Sequence, residues 1–497
     1  MMLLTTQLVD DGLAIIAVSQ DLVHASAVKP LADTCESLSE SGRRGILIDM
    51  SRVRRMNMSG LASVVELVSR HPKWDIGLCA VPKHISQMVS QSGLDRGLSI
   101  FADVDSARRA PAFLGRSLSG TRTVLLCAGR GSRVAPMTDI TPKPMLDIAG
   151  QPVLHRIMDH LAGFGLRDIL FNPGHLGDQV IDYFQATIWP DTRIQFANEG
   201  QFEDGVWTAA PIGSASALKR MQVTSAAFRS DFVVMCGDAL VDLDLAEMMR
   251  RHRETGAAVT IAAQTVAADQ TRKYGMIETA PAGQITRFVE KPKPGTTDSR
   301  LANTGIYIMK PEILGLIPNA PDLDIATHLL PAVLAARLPM RVYDQPFAWV
   351  DIGCGRDYAE ATSRCLAGDL PFAPPTGKEV RPGVWAAASA RVSNQARIEG
   401  PCHIGQGAVV APGATLRGAC AIGAGAEVAG NSVLQDCIVM PDTRVGSGTW
   451  GKGLILHGDW AVNQAWADGR KTLHPPLDHV ETLRSVTDTD LPLPISA

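Results

Sequence analysis

The sequence lacks the features that would direct a chain to a membrane or to nucleic acid. No run of apolar residues approaches the ~18 that a transmembrane helix requires. The amino terminus has no basic segment, and acidic residues interrupt its apolar stretch, so we expect no signal peptide. The net charge of −4 supplies no global positive field for nucleic acid or for an anionic membrane. These absences predict a cytoplasmic protein that binds neither.

The cysteines also lack a pattern. The 9 cysteines include no Cys-x-x-Cys pair, which fits a reducing compartment and argues against a disulfide framework or a zinc site. What the chain does have is an ordinary globular balance, with 45% hydrophobic and 20% charged residues. Its 497 residues predict three domains, at roughly 100–200 residues per domain.

Alternating strand and helix patterns occur twice along the chain. Residues 1–112 form the first α/β segment, with strands expected at 13–18, 45–49 and 74–79 and a helix at 59–68. Small and polar residues at 112–120 indicate a linker. Residues 121–370 repeat the alternation on a larger scale. This order predicts a parallel sheet covered on both faces, with ligands bound beyond the carboxyl ends of its strands.

Residues 383–458 change to an apolar period of six. The repeated positions are Val392, Ile398, Ile404, Val410, Leu416, Ile422, Val428, Leu434 and Met440. Neither an α-helix nor a single amphipathic strand has this period, whereas a solenoid of short strands does. An irregular glycine-rich loop region is the alternative, but loops carry no fixed apolar period. We expect the register to be lost after Met440, and residues 459–497 to form an irregular tail.

A glycine-rich loop follows the strand expected at 123–127. It reads Ala128-Gly129-Arg130-Gly131-Ser132-Arg133 and is followed by Pro142-Lys143-Pro144. Glycines at a strand end let backbone N–H groups approach an anion closely. The side chains of Arg133 and Lys143 add positive charge that can meet phosphate oxygens. The loop is neither a P-loop nor a dinucleotide fingerprint, because no Gly-Lys-Ser/Thr follows and Val134 occupies the third glycine position.

The string from Leu126 to Met145 resembles the signature of the sugar-1-phosphate nucleotidyltransferases, L-x-x-G-x-G-x-R-x-x-P-x-T-x-x-x-P-K-P-M. Further segments of the same resemblance lie at 236–245, 274–278, 288–292, 303–307 and 349–353. The resemblance implies a Rossmann-like (GT-A-like) α/β domain, and the repeat behind it is similar to the left-handed parallel β-helix of several subfamilies. In detail the sequence is most similar to the enzymes that guanylylate mannose 1-phosphate.

The resemblance implies transfer of a nucleoside monophosphate from an NTP to a sugar 1-phosphate, with release of pyrophosphate. The nucleophile is a phosphate oxygen that is already anionic, so no general base is needed. Catalysis then consists of positioning and of charge neutralisation by Mg²⁺ and cationic side chains. Asp238 and Asp351 match the metal-binding aspartates of the family. For Asp238 alone, the alternative is a turn or helix cap after a strand.

The resemblance also assigns the substrate contacts. Arg133 and Lys143 would hold the triphosphate beside the loop residues Ala128, Gly129, Gly131 and Ser132. Lys291 would bind the sugar phosphate and Glu290 the sugar hydroxyls. The sugar and base pockets would be lined by Gly275, Asn303 and Gly213. An ordinary solvated ion pair is the alternative for Glu290 and Lys291.

One departure from the family concerns the base. The segment Thr208-Ala209-Ala210-Pro211-Ile212-Gly213-Ser214-Ala215 keeps the proline and glycine but lacks the Glu or Gln that usually precedes them. Base recognition would then rest on backbone groups or on other residues. The departure favours a rival hypothesis, a nucleotide-sugar sensor or scaffold with little turnover. Acyltransferase chemistry in the repeat is a weaker third hypothesis, because we expect only about three turns and His403 is the one histidine between Val392 and Met440.

Residues 45–67 resemble the STAS domain of anti-sigma-factor antagonists, in which a strand ending in Asp-Leu-Ser precedes Asp-Ser-Ser-Gly-Leu at the start of a helix. Ser59 matches the serine that those proteins phosphorylate, whereas Asn57 and Met58 replace Asp-Ser. The resemblance implies a regulatory module that docks a protein partner. The alternative is that Ser59 only caps its helix. Because β-helices of this family often pair subunits, we also expect a homo-oligomer.

Overall fold

The computed structural model describes residues 4–8, 13–40, 45–71, 74–92, 98–108, 113, 118–458 and 460–464. Within these ranges no helix is both long enough and apolar enough to cross a membrane. Of the linker expected at 112–120, only 113 and 118–120 are among the described residues. The rest of that linker, and positions 465–497 of the expected tail, lie outside them.

The first segment is a five-stranded sheet in the order β1-β2-β3-β4-β5. Its elements are β1 (Leu4–Leu8), β2 (Leu13–Val18), α1 (Ala25–Glu40), β3 (Gly45–Asp49), α2 (Met58–Arg70), β4 (Asp75–Cys79), α3 (Lys83–Ser92), β5 (Ser99–Phe101) and α4 (Val104–Arg108). β1 is antiparallel to β2, and the remaining pairs are parallel. The apolar runs in β2 and β3 are buried, as the sequence predicts.

The middle segment is built on a nine-stranded sheet in the order β10-β9-β6-β13-β18-β15-β19-β17-β16. Its first elements are β6 (Arg122–Cys127), α5 (Met137–Ile140), β7 (Asp147–Ile148), β8 (Gln151–Pro152), α6 (Val153–Ala162), β9 (Asp168–Pro173), α7 (Gly177–Ala186), β10 (Arg193–Phe196), β11 (Gly200–Glu203), β12 (Val206–Ala209) and α8 (Ser214–Ser225). The remaining elements are β13 (Phe232–Cys236), β14 (Ala239–Val241), α9 (Leu245–Glu254), β15 (Val259–Thr265), β16 (Gly275–Ala280), β17 (Gln284–Glu290), β18 (Leu301–Met309), α10 (Leu330–Ala335), β19 (Met340–Tyr343), β20 (Trp349–Asp351) and α11 (Gly355–Leu366).

The expectation of a wholly parallel sheet is wrong for the second half of this segment. β10, β9, β6 and β13 are parallel neighbours, but β18 is antiparallel to both β13 and β15. β16 and β17 form an antiparallel hairpin across the short turn Pro281–Gly283. A parallel connection needs a crossover of a dozen or more residues, and such a short turn allows only the antiparallel arrangement.

The third segment is a parallel β-helix. Its strands are β21 (Lys378–Arg381), β22 (Val384–Ala386), β23 (Arg391–Val392), β24 (Arg397–Glu399), β25 (Cys402–Ile404), β26 (Val409–Val410), β27 (Thr415–Arg417), β28 (Cys420–Ile422), β29 (Glu427–Val428), β30 (Val433–Gln435), β31 (Ile438–Val439), β32 (Arg444–Val445), β33 (Trp450–Lys452), β34 (Leu454–His457) and β35 (Trp460–Asn463). Two faces hold four strands each, so the helix has four turns where the sequence suggested about three. Positions 460–463, which the sequence placed in the tail, form β35 and pair antiparallel with β34.

The register slips earlier in the repeat than the sequence suggests. Leu416 pairs with Leu434 as expected, but Ile422 pairs with Val439 and not with Met440. One residue, Asp436, closes the corner where the preceding turn uses Gly418 and Ala419. Asp436 has φ +51° and accepts a hydrogen bond from the Ala419 N–H at 3.0 Å.

Because of that shorter corner, Met440 points away from the solenoid interior. It joins the apolar cluster of the middle segment, together with Ala421, Ile438, Ile455 and Trp460. One face of the β-helix therefore shares a core with the catalytic fold, while Val439 continues the interior stack.

Candidate active site

Two loops leave the sheet side by side at its carboxyl edge. β6 and β13 are parallel neighbours in which Leu126 pairs with Cys236, and the Gly237 N–H donates to the Leu126 carbonyl at 2.9 Å. The glycine-rich loop after β6 and Asp238 after β13 therefore begin next to each other. This is the edge at which open α/β sheets bind ligands.

Gly131 has no room for a side chain. Its φ is +64°, and a Cβ there would lie 3.0 Å from Cβ of Lys143. Its carbonyl accepts a hydrogen bond from the Thr138 hydroxyl at 3.0 Å, which ties the two ends of the motif together. Gly129, by contrast, faces open space, where its backbone is free to approach a ligand.

Lys143 lies between the two aspartates. Its Nζ donates to Oδ2 of Asp238 at 2.6 Å and lies 4.0 Å from Oδ1 of Asp351. Asp351 reaches this point because β20 pairs antiparallel with β14, which places it opposite Ala239. The structure thus brings together three residues that are widely separated in sequence.

Burial and mutual repulsion control the charges of this group. Burial raises the pKa of Asp351 to about 6, and the Asp238 carboxylate adds to the shift, although Lys143 opposes it. Burial alone would lower the pKa of Lys143, but the carboxylates of Asp238 and Asp351 outweigh it and raise that pKa. Lys143 therefore stays protonated between two carboxylates.

The aspartate pair fits a magnesium ion. Mg²⁺ binds one or two carboxylates and completes its shell with water and substrate phosphate. Among the residues that the structure describes, no three His, Cys, Asp or Glu side chains cluster as a metal cage. Asp238 and Asp351 can thus hold the ion only as part of a shell that the substrate and water complete.

The cleft beside these residues has a volume of about 280 Å³. Its walls include Gly129, Gly131, Ser132, Arg133, Lys143, Asp238 and Gly353. Arg133 approaches from the side of Asp351, since a Cβ on Gly353 would lie 3.9 Å from its Nη1 and 3.1 Å from Oδ2 of Asp351. Ala128 lies at the base of the loop, where its carbonyl accepts the His175 N–H at 3.1 Å.

A second group of predicted residues lies on β16, β17 and β18. Gly275 pairs with Glu290, and a Cβ on Gly275 would come within 2.6 Å of the Glu290 carboxylate. Lys291 lies 3.2 Å from Glu290 and is largely exposed. Asn303 donates to the Tyr307 hydroxyl at 2.8 Å and accepts the Gly305 N–H at 3.0 Å. Glycine at 275 thus leaves room for the Glu290 carboxylate.

Sequence reasoning missed a buried carboxylate beside the Pro211–Gly213 segment. Glu199 is 2% exposed, and its Oε2 accepts the Ile212 N–H at 3.0 Å, next to Gly213. Its Oε1 accepts from the amide of Asn172 at 3.1 Å, and Oδ1 of Asn172 in turn accepts the Cys127 N–H at 2.8 Å. A buried chain of hydrogen bonds therefore joins the end of β6 to the Pro211–Gly213 segment.

The sequence analysis expected no acid before Pro211. That expectation is wrong for the folded chain, because the Glu199 carboxylate lies beside this segment. The hairpin β11–β12 separates Glu199 from Pro211 in sequence. The Ala210 N–H donates to the Glu199 carbonyl at 2.7 Å and brings the two ends of the hairpin together. The sequence did carry a signal for this contact: Glu199 is followed by two short strands that lead back to the Pro-x-Gly segment.

Ser59 is not the cap of its helix. Asn57 is the N-cap of α2, and its side chain accepts the Gly60 N–H at 3.0 Å. Ser59 lies exposed in the first turn. The capping alternative is therefore wrong, and the hydroxyl of Ser59 is accessible.

His403 is enclosed where the β-helix meets the catalytic fold. It is 2% exposed and lies 3.3 Å from the Thr376 hydroxyl, and a Cβ on Gly150 would collide with its ring. Burial lowers its pKa to about 4, and the nearby Arg156 charge acts in the same direction. This geometry gives His403 a packing role and no access to an acyl donor.

Comparisons with known proteins agree with this geometry. The family model described as Nucleotidyl transferase matches residues 122–368, and the one described as Mlab, STAS domain matches residues 11–101. The UTP–glucose-1-phosphate uridylyltransferase of Synechocystis sp. is 33% identical over 347 residues, covering 70% of this chain and 89% of that protein.

Two further relatives share less of the chain. A putative mannose-1-phosphate guanyltransferase of Sulfolobus acidocaldarius is 25% identical, covering 59% of this chain and 73% of that protein. The mannose-1-phosphate guanylyltransferase of Mycobacterium tuberculosis is 26% identical, covering 58% and 76% respectively. With a STAS domain before its nucleotidyl transferase domain and a β-helix after it, the chain belongs to the sugar-1-phosphate nucleotidyltransferases, which transfer a nucleoside monophosphate from an NTP to a sugar 1-phosphate and release pyrophosphate.

Proposed function

We propose that UTP and glucose 1-phosphate are the substrates of this enzyme, with Mg²⁺ as its cofactor. A relative that is 33% identical over 347 residues, more than the 122–368 segment alone, carries this activity in its name. The guanylylation of mannose 1-phosphate, which the sequence motifs favour, is the second candidate, and other relatives carry that name. The arrangement of Lys143 between Asp238 and Asp351, beside the glycine-rich loop, is the observation that supports catalysis.

Asp238 and Asp351 would hold the metal, which when bound neutralises phosphate charge. Arg133, Lys143 and the backbone N–H groups of the loop bind the triphosphate and stabilise the charge that develops on the leaving pyrophosphate. A phosphate oxygen of the sugar phosphate attacks the α-phosphorus, and the bond from that phosphorus to the bridging oxygen breaks. No proton needs to move, because the nucleophile is already anionic.

The sugar phosphate is oriented by residues of the second group. Lys291 would contact its phosphate, and Glu290 and Asn303 would accept and donate hydrogen bonds to the hydroxyls. The Glu290 carboxylate keeps its place because Gly275 has no side chain. Orientation of both substrates for in-line attack is where we expect most of the rate enhancement.

A pyrophosphate-release assay over the common NTPs and several sugar 1-phosphates tests the proposal. We expect turnover with UTP and glucose 1-phosphate, loss of turnover with a chelator, and a fall on the order of 10³-fold in Asp238→Asn. Asp244→Asn is the matched control, because Asp244 caps α9 by accepting the Glu247 N–H at 2.9 Å and asparagine caps a helix equally well. Absence of turnover with every pair would contradict the proposal, and tight nucleotide-sugar binding in its place would favour the sensor hypothesis.

We also propose that the STAS domain docks a protein partner and that Ser59 is its phosphorylation site. The exposed hydroxyl lies in the first turn of α2, where free N–H groups and the helix dipole favour a phosphate. Phosphorylation of the full chain by a cell extract, compared with Ser59→Ala and with the exposed Ser51→Ala as control, tests this assignment. Equal labelling of all three proteins would refute it. The homo-oligomer remains a prediction.

A further inference from the structure

A second and larger cavity lies at the opposite end of the catalytic sheet. Its volume is about 670 Å³. It is lined by the first residues of β6 and β9, by β10 and the two residues after it, by the second half of α8, and by residues 226–230 that follow that helix. Arg122, Asp168 and Arg193 lie at the amino ends of these strands, whereas the nucleotide cleft lies at the carboxyl ends of β6 and β13.

The register of the strands places arginines on both sides of one acid. Arg193 of β10 pairs with Asp168 of β9, and Asp168 pairs with Arg122 of β6. Asp168 is fully used by Arg122, whose Nη2 approaches its two oxygens at 2.8 and 3.2 Å and whose Nε donates at 3.1 Å. The single carboxylate therefore leaves Arg193 uncompensated.

Two further arginines reach the cavity from α8 and from the segment after it. Arg220 donates to the Asn198 carbonyl at 2.9 Å, and its charge lies near the buried Glu199. Arg229 and Arg193 form no ion pair with any residue that the structure describes. Four arginines thus share a cavity with one already paired aspartate.

The remaining walls suit a small organic ligand. Leu170, Met221, Phe228 and Phe196 supply apolar surface, while Gln195, Asn198 and Thr224 supply polar groups. A volume of this size is typical of small-molecule sites, which fall at roughly 300–1,000 Å³. Arginine binds phosphate oxygens through two parallel N–H donors and holds its charge at every physiological pH.

We propose that this cavity binds a phosphate group, either as free phosphate or on a phosphorylated small molecule, at a site separate from the nucleotide cleft. Arg193 and Arg229 are the anion-binding residues. Arg122, which is held by Asp168, and Arg220, which is held by Asn198, form a fixed positive wall behind them. Phosphate binding in this cavity depends neither on turnover nor on which nucleotide the enzyme uses, so it is independent of the proposed substrates.

Calorimetric titration of the full chain tests the proposal. Inorganic phosphate and glucose 6-phosphate are suitable probes, because neither carries the anomeric phosphate that the reaction consumes. The titrations use Lys143→Met as the background, which weakens anion binding in the nucleotide cleft. The variant is Arg193→Ala/Arg229→Ala, and the matched control is Arg381→Ala/Arg391→Ala, which removes the same charge from exposed positions on the β-helix.

We expect Arg193→Ala/Arg229→Ala to bind phosphate at least about tenfold more weakly than the Lys143→Met background does, which corresponds to about 1.4 kcal/mol. The control should bind as the background does. In the enzyme with Lys143 intact, the same double variant should leave kcat and the NTP KM within about twofold, since its residues are remote from the cleft. Tighter binding of glucose 6-phosphate than of phosphate would identify a phosphorylated metabolite as the ligand, and equal binding would identify the phosphate group alone.

Two results would overturn the proposal. One is equal affinity in the cavity variant and in the control, which would place the anion elsewhere. The other is an absence of binding by both probes up to about 10 mM, a limit near 3 kcal/mol of binding free energy. Because the substituted arginines are exposed, unchanged unfolding midpoints should accompany either result.

Discussion

The two ends of the catalytic sheet use charge in different ways. At the carboxyl edge, one lysine lies 2.6 and 4.0 Å from two aspartates, and the three side chains are buried or half-buried. At the amino edge, four arginines surround a cavity, and two of them are exposed without an ion pair among the described residues. Burial raises the pKa of Asp351, and the two carboxylates raise the pKa of Lys143, so the charges at the carboxyl edge balance one another internally. At the amino edge the arginines outnumber the carboxylates, so this edge is suited to bind an anionic ligand.

Removing the cation of the carboxyl edge should have the largest effect. Lys143→Met leaves Asp238 and Asp351 facing each other without the positive charge that the triphosphate needs. We expect kcat to fall by about 10²- to 10³-fold, equivalent to about 3–4 kcal/mol. The measurement is pyrophosphate release at saturating Mg²⁺. Lys219→Met is the control, because that lysine only donates to the Leu314 carbonyl at 3.0 Å, and a similar loss there would contradict the assignment.

The buried hydrogen-bond chain behind the cleft should come next. Glu199→Gln replaces one of two accepting oxygens by a donor, which then faces the donor group of Asn172 or of Ile212. An unsatisfied buried polar group costs about 1–3 kcal/mol. If the chain positions the base-side segment, the NTP KM should rise about tenfold or more while the sugar-phosphate KM stays constant. Glu203→Gln, on the exposed hairpin, should change neither constant, and equal shifts in both constants for Glu199→Gln would show a general structural role.

His403 belongs to neither end of the sheet, and burial is the main cause of its pKa shift, so it tests the effect of burial without an ion pair. Because burial lowers the pKa of His403 to about 4, the unfolded chain binds a proton before the folded chain does. Its contribution to stability is therefore complete above about pH 6.5 and is lost as the pH falls toward 4. Between pH 8 and 5 it should account for about 2 kcal/mol of the free energy of unfolding in urea. His403→Gln should remove that part of the pH dependence, whereas the exposed His84→Gln should preserve it.

The smallest effect on the protein should come from the paired acid at the amino edge. Asp168→Asn weakens a half-buried ion pair and should lower the free energy of unfolding by about 1 kcal/mol, with activity within about twofold. It also frees Arg122, so phosphate should bind the amino-edge cavity several-fold more tightly. Weaker phosphate binding, or a large loss of turnover, would break the distinction between the two ends.

The carboxyl edge was predictable from sequence because its chemistry lies in continuous motifs. The Gly129–Arg133 loop and Asp238 follow β6 and β13, parallel strands that end at one edge of the sheet, whereas Asp351 was predicted from its family motif. The amino-edge cavity could not be predicted in the same way. Its arginines come from the starts of β6 and β10, from α8 and from the segment after that helix. Only the register of β10, β9 and β6 brings the two strand arginines to either side of Asp168.

Local geometry explains the other differences. A hairpin separates Glu199 from the segment that it supports, so a search by sequence distance did not find it. A single residue with positive φ, Asp436, shortens one corner of the solenoid and changes the neighbour of Ile422 from Met440 to Val439. Asn57 caps α2 two residues before the serine that the motif singled out. In each case one turn decided the outcome, and a turn leaves little trace in a periodic pattern.

The shared core between the β-helix and the catalytic fold has a consequence for synthesis of the chain. Residues of the solenoid such as Ile438, Ile455 and Trp460 cover apolar surface that belongs to the enzyme fold. During translation that surface stays exposed until the last turns of the solenoid have emerged. A polypeptide released before those turns would have a complete set of substrate-binding residues but would expose this apolar surface, which chaperones and proteases would recognise. We therefore expect a chain that ends before Ile438 to aggregate or to be degraded more than one that includes Ile438, Ile455 and Trp460.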